Sequence, residues 1–519
     1  MFDDGVPYGA LVVEAPLASQ ASSFDAFAID RIGVPQPVLM ETAGRQAAHL
    51  LQRNFPQGPV VGLIGGGNNG GDALVALRTL HAWGRQVRAV FTSSRKDDDS
   101  LLHGWELPVW GRNPVGREDA RDLASELDGA VVIDGMLGTG LKGVPRDGVA
   151  ACIQTLNAAA TRAVVALDAP SGADGSTGEV RGEAVQADLT VCFGWPKLGV
   201  LLHPARALAG RVMAVEIGFP PVAESGWARV ITPVWAEKTL PRRAPDAHKN
   251  RVGSLCLLAG SAMAGAAVLA VRAAFRTGCG LVRVVGTDRL RIALIEACPE
   301  AIWIDGEDPA ALERAVADSD ALAAGPGLGT GSLALSHLER LLAARERQPL
   351  VVDADALTLL ASATKAQVIG PVLVTPHPGE MGRLLDRPVP AVQADRPRAA
   401  RDLAESRGWA VLLKGAPSLL TSPDGPLWVS MLGSSDLAVA GMGDVLTGTA
   451  SSLAAQGLDP VEAGAVALHL TGRAALEAGL GASLTPSDVV DGLSRALATP
   501  WAPRSSCEPF VTFDQPPAR

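Results

Sequence analysis

Several things are scarce in this chain. Aromatic residues make up 4% of its 519 residues, with a single tyrosine, so aliphatic side chains and alanine must fill its cores. No block of Lys and Arg stands out and the formal net charge is −10, which argues against nucleic-acid binding. The six cysteines, Cys152, Cys192, Cys256, Cys279, Cys298 and Cys507, include no CxxC pair and none beside a clustered His. Buried reduced thiols are therefore expected rather than a metal centre or a disulfide framework. No GxxxxGK[ST] run occurs, which excludes P-loop chemistry. The opening MFDDGVPYGALVVEAP is acidic and lacks a signal-peptide pattern. The uncharged stretch from Val252 to Val271 is divided by Gly260 and Ser261, so it reads as a strand and a helix rather than a membrane span. A soluble cytoplasmic protein with no membrane partner is the expectation.

What is present reads as globular, with 47% hydrophobic and 19% charged residues. The length favours two large domains. SSFDAFAIDRIG and PVLMETAGRQAAHLLQRNF read as two helices. After them, apolar runs VVGLIGG, QVRAVFT, AVVIDGM, AVVALDAP, LTVCFG and VMAVEIG alternate with helix-like segments. Their near-continuous apolarity predicts parallel strands covered on both faces. From Pro220 to Arg251 the pattern fades into a stretch marked by Pro233, Pro241, Pro245, His248 and Lys249, read as a linker. The alternation restarts with SLCLLAG, LVRVVGT, ALAAGPG, LVVDADAL, VLVTPHPGE and AVLLKG, and closes with helical sequence from Asp459 to about Leu497. The expected domains are 1–228 and 248–500, joined by a linker over 229–247. A disordered tail is expected over 501–519.

In the first half, Gly65, Gly67 and Gly70 satisfy the dinucleotide pattern GxGxxG. The pattern recurs at Gly138, Gly140 and Gly143, and the acid expected after the next strand is missing. That position offers Ser93, Ser94, Arg95 and Lys96 instead, which weakens a hydride-transfer reading. More informative are polar residues at strand ends: Asn68, Asn69, Asp72, Asp134, Asp168 and Ser171. The C-terminal ends of parallel strands converge on one crevice. An amide, carboxylates and a hydroxyl meeting there supply oxygen ligands for a hard cation and a base.

GGGNNGGDALVA, VIDGMLGTGLKG and LDAPSGADGSTG closely resemble the NAD(P)H-hydrate epimerase family, over about Ala18 to Ile217. The resemblance implies a Rossmann-like three-layer domain that binds hydrated nicotinamide nucleotides, NADHX and NADPHX. It assigns substrate binding to Asn68, Asn69, Gly70, Gly71 and Asp72, and to Gly138, Thr139, Gly140, Leu141, Lys142, Gly143 and Val144. It adds Asp168, which it also makes the candidate for proton transfer at C6. It implies K⁺ bound by Asn69, Asp134 and Ser171. Thr42 stands where that family is expected to have Asn.

In the second half GMGDVLTG, Gly441 to Gly448, places two glycines and an acid ahead of an apolar helix. Such a turn exposes N–H groups at the positive end of a helix, a site for a phosphate or oxyanion. Asp444 beside it suits a base that deprotonates a hydroxyl as it meets a phosphoryl group, and the helix end should favour its charged form. GPGLGTG (Gly325 to Gly331), TPHPGE (Thr375 to Glu380) and LLKGAPS each end a predicted strand.

This ordered set, from about His248 to Leu497, resembles the ADP-dependent NAD(P)H-hydrate dehydratase family, which implies a ribokinase-like α/β domain. The resemblance assigns the hydrate to Ala266, Gly327, His377 and Asp444, with Asp444 catalytic. It assigns the nucleotide to Lys414, Gly415, Ala416, Pro417, Ser418 and Gly443. Phosphoryl transfer brings an inferred Mg²⁺, without visible ligands. Ser434 and Ser435 replace the Asn-Pro or Asn-Gly usual there. Both halves in this order resemble bifunctional repair enzymes, using ADP as co-substrate and expected to form homo-oligomers. A ribokinase-like small-molecule kinase and a non-catalytic binding protein remain open at this stage.

Overall fold

The computed structural model describes residues 12–95, 98–111, 114–140, 143–221, 226–248, 252–362, 368–499 and 511–514. Among them eighteen strands are numbered here in chain order, β1 being Val13–Ala15. The chain divides into two compact units, one of Met1–Ala228 with Arg504–Arg519 and one of Arg229–Pro503.

In the first unit, β2 (Val60–Ile64), β3 (Val87–Phe91), β4 (Val131–Gly135), β5 (Ala163–Leu167), β6 (Leu189–Phe193) and β7 (Arg211–Val215) run parallel, in the spatial order β7-β6-β5-β4-β2-β3. β2, β4, β5 and β6 are buried along their whole length, as their unbroken apolarity predicts. One face carries Leu50, Leu51, Leu74, Leu77 and Leu80, and the other Leu123, Leu127, Ile153 and Leu156. The helices Gln36–Asn54 and Asn68–Ala82 approach closely at Gly44, where a Cβ would lie 2.5 Å from that of Val75. The chain goes from β2 outward to β3 and then returns to the other side of β2 for β4. That reversal makes a switch point between the ends of β2 and β4, where open α/β sheets hold ligands.

The second unit follows the same logic. Its strands are β8 (Ala228–Val230), β9 (Ser254–Leu258), β10 (Leu281–Gly286), β11 (Ile302–Asp305), β12 (Ala321–Ala324), β13 (Leu350–Val352), β14 (Val372–Val374), β15 (Ala410–Leu413), β16 (Leu419–Thr421) and β17 (Trp428–Val429). Their spatial order is β8-β17-β16-β15-β14-β13-β12-β9-β10-β11. β9 to β15 pair in parallel, and β16 pairs antiparallel with both β15 and β17. Val271, Val445, Leu453, Val466 and Leu470 pack on one face, and Leu312, Leu338, Leu357, Met381 and Leu403 on the other. Here the reversal falls between β9 and β12.

Two expectations are corrected. The stretch 229–247 is not a bare linker. β8 pairs in parallel with β17, and Pro233–Thr239 is a helix whose N-cap Thr232 accepts a bond from the Trp235 amide. Lys249 and Arg251 lie outside the described residues. The tail read as disordered over 501–519 contains β18 (Val511–Phe513), which pairs antiparallel with β7. Its Val-Thr-Phe sequence suits a strand, a preference masked by the surrounding prolines. Among the described residues no helix is long and apolar enough to cross a membrane.

Candidate active sites

At the first switch point β2 runs into Gly65–Gly67, and the helix Asn68–Ala82 begins at once. A Cβ on Gly65 would lie 1.9 Å from the Met136 carbonyl oxygen, and one on Gly70 would lie 2.0 Å from that of Gly65. Only glycine lets the loops after β2 and β4 press together in this way. The first helical turn then delivers Asn69, whose Nδ2 donates to the carbonyls of Leu137 (2.9 Å) and Leu167 (3.1 Å). Its Oδ1 is buried without a hydrogen-bond partner. Nearby, Asp134 is fully buried. It accepts bonds from the Ser171 hydroxyl (2.6 Å), the Ser171 amide (2.8 Å) and the Met136 amide (3.2 Å). Burial still pushes its carboxyl up to about 6, against the pull of those bonds.

Above this floor lies a cavity of about 620 Å³. Asn68, Asn69, Asp72, Gly138, Thr139, Gly140 and Asp168 line it, joined by Asp25, Trp195, Lys197 and Phe219. Asp168 ends β5 in the left-handed region, at φ 63°. Its Oδ1 pairs with the Lys197 ammonium and accepts a bond from the Phe193 amide (3.3 Å). Burial raises the Asp72 pKa well above its ordinary value, and Asp168 and Asp25 raise it further, while Arg95 and Lys197 oppose. Asp25 is raised by burial, against Lys197. On one side Trp195 stacks on Phe219, with centroids 5.2 Å apart, giving a flat apolar wall beside the acids.

The second switch point is built from two glycine loops in backbone contact. A Cβ on Gly260 would lie 2.2 Å from the Gly327 carbonyl oxygen, and one on Gly327 would lie 2.4 Å from that of Met263. Beneath them, Asp353 is buried at the end of β13. It accepts bonds from Lys414 Nζ (2.7 Å) and the Thr447 hydroxyl (2.8 Å). Lys414 Nζ also lies 3.9 Å from Glu380 Oε2. Burial works to lower the Lys414 pKa, but Asp353 and Glu380 outweigh it and hold it above the usual lysine value. His377 Nδ1 accepts the amides of Gly379 (2.9 Å) and Glu380 (3.2 Å), which caps the helix Pro378–Leu385 and leaves the ring proton on Nε2. Burial, with Lys414 and Arg383, keeps this imidazole's pKa below its ordinary value, so it is neutral at pH 7.

The helix Met442–Ala455 starts after Gly441, which is left-handed at φ 98°. A Cβ on Gly441 would lie 2.9 Å from Leu269 Cδ1. Gly443 sits over the ion pair, since a Cβ there would lie 3.3 Å from Lys414 Nζ and 3.5 Å from Asp353 Oδ2. One residue on, Asp444 is half-buried, and its carboxyl is pushed up to about 6, first by burial and then by Asp353, with Lys414 opposing. The downward shift expected from the helix end is thus not what is found, because burial beside another carboxylate raises the pKa. At pH 7 the group is still mostly ionised, and a value near 6 suits a general base.

Residues 36–199 match a family model described as YjeF-related protein N-terminus, and residues 255–495 match one described as NAD(P)H-hydrate dehydratase. The bifunctional NAD(P)H-hydrate repair enzyme Nnr of Moorella thermoacetica is 37% identical over 495 residues, covering 89% of this chain and 92% of the relative. That of Salinibacter ruber is 35% identical, covering 93% and 95%.

The chain belongs to the bifunctional NAD(P)H-hydrate repair enzyme family.

A solved ADP/ATP-dependent NAD(P)H-hydrate dehydratase from Bacillus subtilis, co-crystallized with ATP/Mg²⁺, is 31% identical. It covers 51% of this chain and 96% of its own, with a TM-score of 0.46. Not every residue singled out from the family's motifs meets the first cavity. Gly70 and Gly71 serve the close packing of the first helical turn, where a Cβ on Gly71 would lie 2.6 Å from Met40 Sδ. Gly143 is left-handed and Val144 is half exposed, and neither lines the cavity. Leu141 and Lys142 lie outside the described residues. In the repair family's second motif set, Ala266 sits in the first turn of the helix Ala264–Arg276. The loop Lys414–Ser418 is held by Arg396, whose Nη2 donates to the carbonyls of Lys414 (3.3 Å) and Pro417 (2.8 Å), and Ser418 Oγ donates to the Gly415 carbonyl (3.1 Å). Lys414 itself is engaged by Asp353 rather than left free for a phosphate. Sequence reasoning missed Asp25, Lys197, Asp353, Glu380 and Thr447. Asp353 shares one signal with Asp134 and Asp168, an acid closing an apolar run.

Proposed function

We propose that the chain repairs hydrated nicotinamide nucleotides in two steps. The first unit interconverts the R and S forms of NADHX and NADPHX, and the second dehydrates the S form at the expense of ADP. The observation that carries this reading is the pairing of the two sites: each unit holds its own acid constellation at its own sheet reversal.

In the first site Asp168 is the proton-transfer group at C6, and the Trp195–Phe219 wall offers a flat surface to a ring. The oxygens of Asn69, Asp134 and Ser171 suit K⁺. The unpartnered buried Asn69 Oδ1 and the buried Asp134 carboxylate supply hard donors and a negative charge where a monovalent cation would relieve both. A bound K⁺ would supply fixed positive charge at the floor of the cavity. In the second site Asp444 takes the proton of the C6 hydroxyl as its oxygen bonds to the terminal phosphorus of ADP and AMP leaves. The ring nitrogen's lone pair then expels phosphate, and loss of a proton from C5 restores the double bond. The helix start at Gly443 faces the transferring charge, and neutral His377 can donate from Nε2. For the inferred Mg²⁺ the residues do not build a site. Among those described no three His, Cys, Asp or Glu cluster to hold a metal, and no step is derived through it.

The test is chemically hydrated NADH, a mixture of both epimers, incubated with the protein and ADP. The NADH absorbance should return in full, with AMP and phosphate released in equal amounts. A stable phosphorylated product would mean a small-molecule kinase instead, and recovery of only the S fraction would remove the epimerase half. Asp134→Ala should weaken hydrate binding and slow epimerisation while S-hydrate dehydration stays intact. Replacing K⁺ by tetramethylammonium should slow the wild-type protein likewise and leave the variant unchanged. Equal loss of both activities would make Asp134 a folding residue only.

A further inference from the structure

We propose that Lys197 is the positioning residue of the first site, and that its ammonium holds the Asp168 carboxylate in the one orientation from which it works on the hydrate. This rests on the epimerase reading of that site.

The geometry is a grip made by one short segment. Asp168 is a non-glycine residue in the left-handed region, a conformation that persists only where its surroundings over-determine it. Its backbone amide donates to the Val191 carbonyl (2.7 Å), its Oδ1 accepts the Phe193 amide, and the same oxygen pairs with Lys197. Lys197 is in turn fixed by donating to the Phe193 carbonyl (2.8 Å). The end of β6 and the turn after it therefore hold both the backbone and the carboxylate of Asp168.

Burial makes a purely structural role a poor explanation. Lys197 is 4% exposed, and a buried ion pair is often no more stable than an apolar filling of the same volume. This pair also borders the ligand cavity instead of a packed interior. Three carboxylates, from Asp25, Asp72 and Asp168, come within electrostatic reach of this one ammonium, and Arg95 acts on the Asp72 side. Without Lys197 the Asp168 carboxylate would keep only the Phe193 amide to aim it, beside two further carboxyl groups.

The experiment uses the full chain, in which the second unit's activity reports on the integrity of the protein. Lys197→Met keeps the stem and removes the charge. Its epimerisation kcat should fall about 100-fold, the scale of a misplaced reacting group, with KM within threefold of wild type. S-hydrate dehydration should be unchanged, while the melting temperature of the first unit should fall, because the buried Asp168 loses its charge partner. Lys197→Ala should lose a similar factor, and added ethylammonium should restore at least tenfold of it while propanol restores none. A Lys197→Met variant within threefold of wild-type kcat overturns the proposal. So does rescue by both additives or by neither, a readout that stands even if the Met variant misfolds. A wild-type protein that does not epimerise sinks the parent reading and this proposal with it, whereas an active wild type with an unimpaired variant sinks this proposal alone.

Discussion

Asp444→Asn should lower S-hydrate dehydration by about 10²- to 10⁴-fold, the usual cost of losing a positioned base. The amide keeps the size of the side chain but cannot take the C6 hydroxyl proton. Epimerisation and nucleotide binding should stay near wild type. The wild-type rate should also fall as pH drops through about 6, where burial and Asp353 place this carboxyl. The residual Asn rate should lack that limb. Stability should move the other way. A carboxyl whose folded pKa is raised costs stability as pH climbs from its unfolded value near 4 toward 6, and that cost is complete above 6. The Asn variant should therefore melt at or above the wild-type temperature at pH 7.5, and the two should converge below pH 4. Single-turnover phosphate release, with melting curves at both pH values, checks the pair of expectations. Wild-type turnover in a folded Asp444→Asn protein would falsify the mechanism proposed for the second site.

Lys414→Met should be the more damaging change for folding. The Lys414–Asp353 pair at 2.7 Å joins the ends of β15 and β13, and the Asp353 side chain is 2% exposed. Removing one member of such a pair leaves an uncompensated buried charge, at a cost of about 3–5 kcal/mol. The Thr447 hydroxyl remains as a partner and sets the expectation at the lower end of that range. The urea midpoint of the second unit should drop accordingly, and dehydration should fall with it. The double variant Lys414→Met/Asp353→Asn should regain much of the stability, because no charge is stranded, while dehydration stays low. If the double variant proves no more stable than Lys414→Met, Lys414 matters through packing of its stem and not through its charge.

These expectations draw unequally on sequence and structure. The parallel strands were legible because burial on both faces demands unbroken apolar runs, and the acids closing those runs marked the crevices. Asp444 was legible because two glycines and an acid ahead of a helix suit an anion site with its base, an N-capping acid being the other use of that pattern. Lys197 was not, since it is a lone charged residue whose meaning comes from a distant partner, and Asp353 carried the same signal as the other acids closing apolar runs but not its partners. Asp353 meets residues 61 and 94 positions away, and no spacing rule spans such gaps. The direction of the Asp444 pKa shift was misread, although the group is still mostly ionised at pH 7 as expected, because depth and neighbours, which set the shift, are properties of the fold. The stretch 229–247 was misread for a different reason. Its prolines looked like breakers, yet Thr232 followed by Pro233 is an N-cap and a first-turn proline, a helix start that local rules can find.

The strand β18 makes the first unit a discontinuous one, begun before the second unit in the chain and finished after it. The second unit is in effect an insertion, entered and left through the same neighbour. A single protease nick near the boundary at Ala228 would not part the halves, because the downstream fragment would still carry the strand that pairs with β7. Two cuts are needed, and fragments made by one should co-migrate until denatured. Fusing a tag directly after residue 514, or trimming the chain to 500, therefore acts on the epimerase unit rather than on the unit next to it in sequence.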